Sequence, residues 1–147
     1  MKQNINKISI LKHSNNIRVY YEDTDAGGLV YHANYLKFAE RARTEMLRKV
    51  KIEQLILKND YNIQFVVKNL FIEFFRPAQL DDFLKIKSMI LKVSSAKVIM
   101  EQTIYKKMTL LAKIDVTLGS VNTKGKPSRL PKTVLDRLNN NINTKEQ

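Results

Sequence analysis

The feature that most restricts this chain is a change of hydrophobic period partway along it. From about Ala33 to Val50, apolar residues recur at helical spacing, with Leu36, Ala39, Ala42, Met46 and Val50 along one side. Lys37, Glu40, Arg41, Glu45 and Arg48 occupy much of the remainder, so this stretch predicts one long amphipathic helix. After a less regular stretch the period becomes two. Val66, Leu70, Ile72 and Phe74 share one parity before Arg76-Pro77 ends the run. Leu84, Ile86 and Ile90 then alternate with Lys85, Lys87 and Met89, and Val98 to Tyr105 continues the pattern. In the last such run, Leu110, Ala112, Ile114, Val116 and Leu118 oppose Lys113, Asp115 and Thr117. Strands of this kind bury one face, and short turns between them make the sheet antiparallel. One long helix followed by such strands predicts an α+β fold, an antiparallel sheet packed on that helix.

No repeat or linker divides the chain, and 147 residues suit a single domain. Residues 1–16 read as a polar lead-in, 17–138 as the domain, opened by a short strand over Ile17 to Glu22, and 139–147 as a polar, frayed tail. Nothing approaches the roughly 18 apolar residues of a membrane span, and no signal peptide is evident, so a cytoplasmic protein is expected. Having no cysteine excludes disulfides, cysteine-ligated metal and a thiol nucleophile, and the two histidines give little support to a zinc site. The formal charge of +12 raises the question of nucleic acid. The basic residues alternate with apolar ones, as in Lys85-Ile86-Lys87, and form no basic tail, which is the pattern of a solvated face. A basic rim still attracts an anionic substrate.

Chemistry points to the stretch between the first strand and the helix. Asp23 and Asp25 stand beside Gly27-Gly28, and Tyr31-His32-Ala33-Asn34-Tyr35 follows at the helix start, where Asn34 or a neighbour is placed to cap it. A helix start offers unpaired N–H groups and a positive dipole end, which favour an oxygen acquiring negative charge. A carboxylate just upstream, on a glycine-bearing loop that approaches substrate closely, can attack a carbonyl or orient water. Together these supply both halves of acyl transfer. On spacing alone, the same residues also read as a capping turn, with Asp23 or Asp25 accepting loop N–H bonds. His32 is an acid–base or donor group or a satisfied structural histidine, and His13 has no evident partner. No Walker loop, Gly-x-Ser-x-Gly elbow or dinucleotide fingerprint is present.

The run Arg18-Val19-Tyr20-Tyr21-Glu22-Asp23-Thr24-Asp25-Ala26-Gly27-Gly28-Leu29-Val30-Tyr31-His32-Ala33-Asn34-Tyr35, continuing through Glu40-Arg41-Ala42-Arg43-Thr44-Glu45-Met46-Leu47, closely resembles the YbgC-like acyl-CoA thioesterases. These are associated with the Tol-Pal system and belong to the 4-hydroxybenzoyl-CoA thioesterase branch of hotdog proteins. The resemblance extends to Phe65-Val66-Val67, to Pro77-Ala78 with Leu80-Asp81-Asp82, and to Leu130-Pro131-Lys132, and covers about Ile17 to Leu138. The lead-in is longer than the resemblance leads one to expect.

The resemblance implies a hotdog fold, a curved antiparallel sheet around one long helix, with subunits paired sheet edge to sheet edge and the active site between them. A homodimer or homotetramer is therefore expected. It implies hydrolysis of an acyl-CoA to free acid and CoA without metal or other cofactor, with acyl-CoA, and potentially acyl carrier protein, as partners. The catalytic carboxylate falls on Asp25, and the backbone N–H that polarises the thioester falls near His32. Tyr21, Gly28, Tyr31 and the His32 side chain match positions that shape the pocket. A binding module that holds acyl-CoA or acyl carrier protein without hydrolysing it is the alternative, and retention of Asp25 weighs against it. A nucleic-acid binder and a hotdog dehydratase are further readings; the second lacks a matching histidine–acid arrangement.

Overall fold

The structure, a computed structural model, describes residues 11–140. The expected helix forms as α1, Asn34–Lys49. Its buried side comprises Tyr35, Phe38, Ala39, Ala42, Arg43, Met46 and Leu47, so the buried stripe is turned relative to the expected one. Ala39, Ala42 and Met46 lie inside as expected, but Leu36 is exposed, because the spacing 35, 38, 39, 42, 46 is the one that meets the sheet.

The strands are β1 (Leu11–Arg18), β2 (Gln64–Phe74), β3 (Phe83–Val93), β4 (Lys97–Lys106) and β5 (Thr109–Val121). They form one sheet in the order β1-β3-β4-β5-β2, antiparallel at every junction. α1 packs on this sheet chiefly against β1 and β3. Leu84, Ile86 and Ile90 of β3, Met100 and Ile104 of β4, and Ala112, Ile114 and Val116 of β5 close over Phe38, Ala42 and Met46 in a single core. Fully burying a side chain of this size stabilises by about 1.5–3 kcal/mol, which is why the helix is held where it is. The result is the α+β hotdog arrangement implied by the resemblance.

Three features depart from the sequence reading. The first strand runs Leu11–Arg18, not Ile17 to Glu22, so part of the stretch read as lead-in belongs to the sheet, and Tyr21–Asp23 is a 3-10 turn. Residues 1–10 of that lead-in and 141–147 of the expected tail lie outside the described residues. Two further helices occur, α2 (Gln54–Tyr61), stopped by left-handed Asn62 (φ 56°), and α3 (Lys132–Asn140), which follows Pro131. Asn139 therefore lies in α3 rather than in a tail. Finally, the register of β2 shifts between Val67 and Asn69, which puts Val66 out of phase with Leu70 and leaves it exposed.

β1 and β2 are the sheet edges. The β2 side is apolar and open, with Phe71 61% and Val67 49% exposed, whereas an isolated edge strand is ordinarily short or charged.

His13 of β1 turns toward α1, and its Nδ1 is buried without a hydrogen-bond partner among the described residues. Burial lowers its pKa from the ordinary 6.5, the Lys49 ammonium lowers it further, and Glu45 opposes both. The folded state therefore takes up its proton less readily than the unfolded chain. That difference costs nothing at pH values above the unfolded pKa, and stability is lost as pH falls through it toward the folded value. His13→Gln, neutral at every pH, should accordingly lose a smaller share of its melting temperature than the parent as pH falls from about 7.5 to about 5.5. Equal losses in the two proteins would exclude His13 as the source.

Candidate active site

Between β1 and α1 the chain makes a tight turn whose first residue is Asp25. Thr24 and Val30 bridge, the Asp25 N–H donates to the Leu29 carbonyl at 2.9 Å, and the Gly28 N–H donates to the Asp25 carbonyl at 3.0 Å. Gly28 adopts φ 79°, a left-handed conformation that favours glycine, and a Cβ at Gly27 would stand 3.2 Å from Asp25 Oδ1. Gly28 thus serves the backbone, and Gly27 leaves clear the space beside the carboxylate. The Gly27 N–H donates to Asp25 Oδ1 at 2.9 Å, while Oδ2 has no partner among the described residues. Asp25 is exposed, so one carboxylate oxygen steadies the turn and the other is free to meet a substrate or water.

Both acids accept loop N–H bonds, as the capping-turn reading expects, but they differ in burial and in the oxygens left over. Asp23 is buried, its Oδ2 accepting the Tyr20 N–H at 2.9 Å and its Oδ1 accepting Asn34 Nδ2–H at 3.0 Å. It is the structural acid. Asn34, expected as a cap, is instead the first residue of α1; its N–H donates to the Tyr31 carbonyl and its side chain is spent on Asp23. Ala33 precedes the helix without a side-chain cap. The N–H groups of His32 and Ala33 find no acceptor among the described residues, which leaves two donors at the positive end of α1.

Asp25 and His32 line one open depression of about 360 Å³, together with Tyr35, Phe74, Phe75 and Arg76. The Arg76-Pro77-Ala78 segment is tied to the acid turn and to the helix. Val30 N–H donates to the Ala78 carbonyl, Leu29 bridges Gln79, and Ala78 N–H donates to the Tyr35 hydroxyl at 3.0 Å. Tyr35 is itself buried and meets Phe74 edge to face, ring centres 5.3 Å apart. Burial pushes its hydroxyl above the ordinary phenol pKa, an effect the Ala78 N–H opposes, so Tyr35 remains protonated at neutral pH and forms a wall of the depression.

The remaining expected residues are distributed as follows. Tyr31 packs against the His32 ring, ring centres 4.5 Å apart, and Gly28 lies in the acid turn, but neither lines the depression. Tyr21 is not brought into this depression by a single chain; it is 81% exposed and lines a separate one of about 470 Å³ with Arg18, Tyr20, Glu22 and Asp81. A further groove, about 450 Å³, lies between α2 and α3. Both are larger, but neither contains the helix start. Arg76 was not anticipated; the available signal was Pro77, which keeps the chain from continuing as a strand beyond Phe74 and leaves Arg76 in the segment tied to the acid turn. Among the described residues no cluster of three His, Asp or Glu side chains suits a metal, and no helix is long and apolar enough to cross a membrane.

A family model described as the thioesterase-like superfamily matches residues 19–138. The chain is 44% identical over 119 residues to the acyl-CoA thioesterase YbgC of Haemophilus influenzae, covering 80% of this chain and 88% of that one. It is likewise 44% identical over 121 residues to the acyl-CoA thioester hydrolase YbgC of Escherichia coli, covering 81% and 90%. Among solved structures, a probable thioesterase from Bartonella henselae superposes with a TM-score of 0.79 at 41% identity, over 82% of this chain and 99% of that one. With a family model spanning most of the chain and relatives 44% identical over most of both chains, the chain belongs to the thioesterase-like superfamily and, within it, to the family of the YbgC thioesterases.

Proposed function

We propose that the protein hydrolyses an acyl-CoA thioester to a carboxylic acid and CoA, with Asp25 as the reacting carboxylate. The observation that carries this reading is the shared depression. A carboxylate with one unpartnered oxygen and the end of α1 with two unpartnered N–H donors border the same space. The thioester oxygen is held by the His32 and Ala33 N–H groups, so negative charge developing there meets fixed dipoles at the moment of reaction. Asp25 either attacks the carbonyl carbon, expelling the CoA thiolate and forming an acyl–aspartyl anhydride that water then opens to the free acid, or removes a proton from a water that attacks the carbonyl directly. The leaving group is a thiolate, which departs without the strong acid an amine leaving group needs. Phe74, Phe75 and Tyr35 offer the acyl group an apolar wall, and Arg76, with the formal charge of +12, favours the phosphates of CoA.

In this reading the active unit is an oligomer. The depression is open, and β2, which ends at its wall residue Phe74 just before Phe75, presents an apolar edge to solvent. A second subunit pairing along β2 covers that edge and closes the site.

Steady release of thiol from a series of acyl-CoAs of increasing chain length, including an aromatic acyl group, tests the reading. Multiple turnovers on at least one member, with an optimum along the series, are expected. Stoichiometric binding without turnover on every member would identify a holding module instead.

A further inference from the structure

The acid turn is itself held by a second carboxylate. Asp23 is 4% and Asn34 6% exposed, and the bond between their side chains is shielded from water. Asp23 also takes the Tyr20 N–H on its other carboxylate oxygen and the Tyr31 N–H on its backbone carbonyl. Asp25 lies two residues beyond Asp23, and Asn34 opens α1 immediately after His32 and Ala33. One buried pair therefore joins the segment carrying the free carboxylate to the helix end carrying the free N–H groups. Asp25 does not supply that link, because its own side chain bonds only within the turn, to Gly27.

We infer that the Asp23–Asn34 pair is a positioning device for thioester hydrolysis. It sets the spacing between the Asp25 carboxylate and the His32 and Ala33 N–H groups while touching neither substrate nor reacting atoms. The inference rests on Asp25 as the reacting group. Chemistry between a nucleophile and a carbonyl held by separate donors depends steeply on their spacing, and a shift of about 1 Å can cost about 10²-fold in rate. A pair that served stability alone would change the melting temperature and leave the turnover number of the folded protein as it was.

Asn34→Asp sets two carboxylates face to face with no donor between them. At a temperature well below unfolding, kcat is expected to fall at least about tenfold while KM changes by less than about threefold. The exchanged double variant Asp23→Asn/Asn34→Asp restores a donor and an acceptor across the same gap. Its new amide oxygen can still accept the Tyr20 N–H, so kcat should return to within about threefold of the parent. If Asn34→Asp does not fold, Asn34→Ala, which leaves the Tyr20 bond in place, is read by the same split between kcat and KM. Parental kcat in the folded single variant, or a double variant as slow as the single, would overturn the inference. Asp25→Asn assayed in parallel separates the two levels. Parental turnover in that variant removes the underlying reading, whereas an inactive Asp25→Asn beside a fully active Asn34→Asp overturns the positioning role alone.

Discussion

Asp25→Asn is expected to lose about 10²–10⁴-fold in kcat with little change in fold, the span associated with removing a positioned acid–base or nucleophilic group. A loss of 10³-fold corresponds to about 4 kcal/mol of transition-state stabilisation. The substitution is clean for a structural reason. The native side chain makes one bond, accepting the Gly27 N–H on Oδ1, and an asparagine oxygen can accept that bond equally well. Asp25 is also exposed, so no buried charge is removed, and the stability change should stay within about 0.5 kcal/mol. What asparagine cannot do is attack a carbonyl as a carboxylate or take a proton from water. Circular dichroism and melting temperature confirm the fold, and thiol release measures the loss; near-parental turnover in a folded variant would remove Asp25 from the mechanism.

The second large effect is expected from the open edge of the sheet. Phe71 lies on β2, directly opposite Asp115 of β5, and is 61% exposed. In Phe71→Lys the new ammonium faces Asp115 within its own sheet, so the subunit is expected to fold. Across a two-fold pairing of β2 with β2, however, the substitution appears twice, and like charges brought together in an interface cost several kcal/mol. The variant should therefore fall to monomer mass in light scattering at micromolar concentration, and turnover should fall with it by at least about tenfold, because the site would lack its second wall. Parental mass with full activity would show that subunits do not meet at β2. A fully active monomer would show that the depression is complete within one chain.

The elements most legible in the sequence are those whose two faces meet different surroundings. β3, β4 and β5 lie inside the sheet with one face on α1, so their apolar residues alternate plainly, and α1 shows a helical period because the sheet covers one side of it. β1 escaped notice for the opposite reason: its inward positions are Leu11, His13, Asn15 and Ile17, and two polar residues among four conceal the period. Its position is settled by pairing with β3, a contact remote in sequence. α2 buries only Leu57, too little for a periodic signal, and the bulge in β2 cannot be seen from alternation alone. In the candidate site, the pairing of an acid turn with a helix start was legible from residue order. Residue type and spacing do not separate the two aspartates, and only the resemblance singles out Asp25; that Asp23 is the one bonded by Asn34 is not legible, because that asparagine reads in sequence as a helix cap.

The placement of the thioester is open to direct observation. A crystal structure of Asp25→Asn with an unhydrolysed acyl-CoA should show the thioester oxygen about 2.7–3.1 Å from the His32 or Ala33 N–H, with the carbonyl carbon facing residue 25. A thioester seated instead in the depression beside Tyr20 and Tyr21, or in the groove between α2 and α3, would contradict the proposed chemistry.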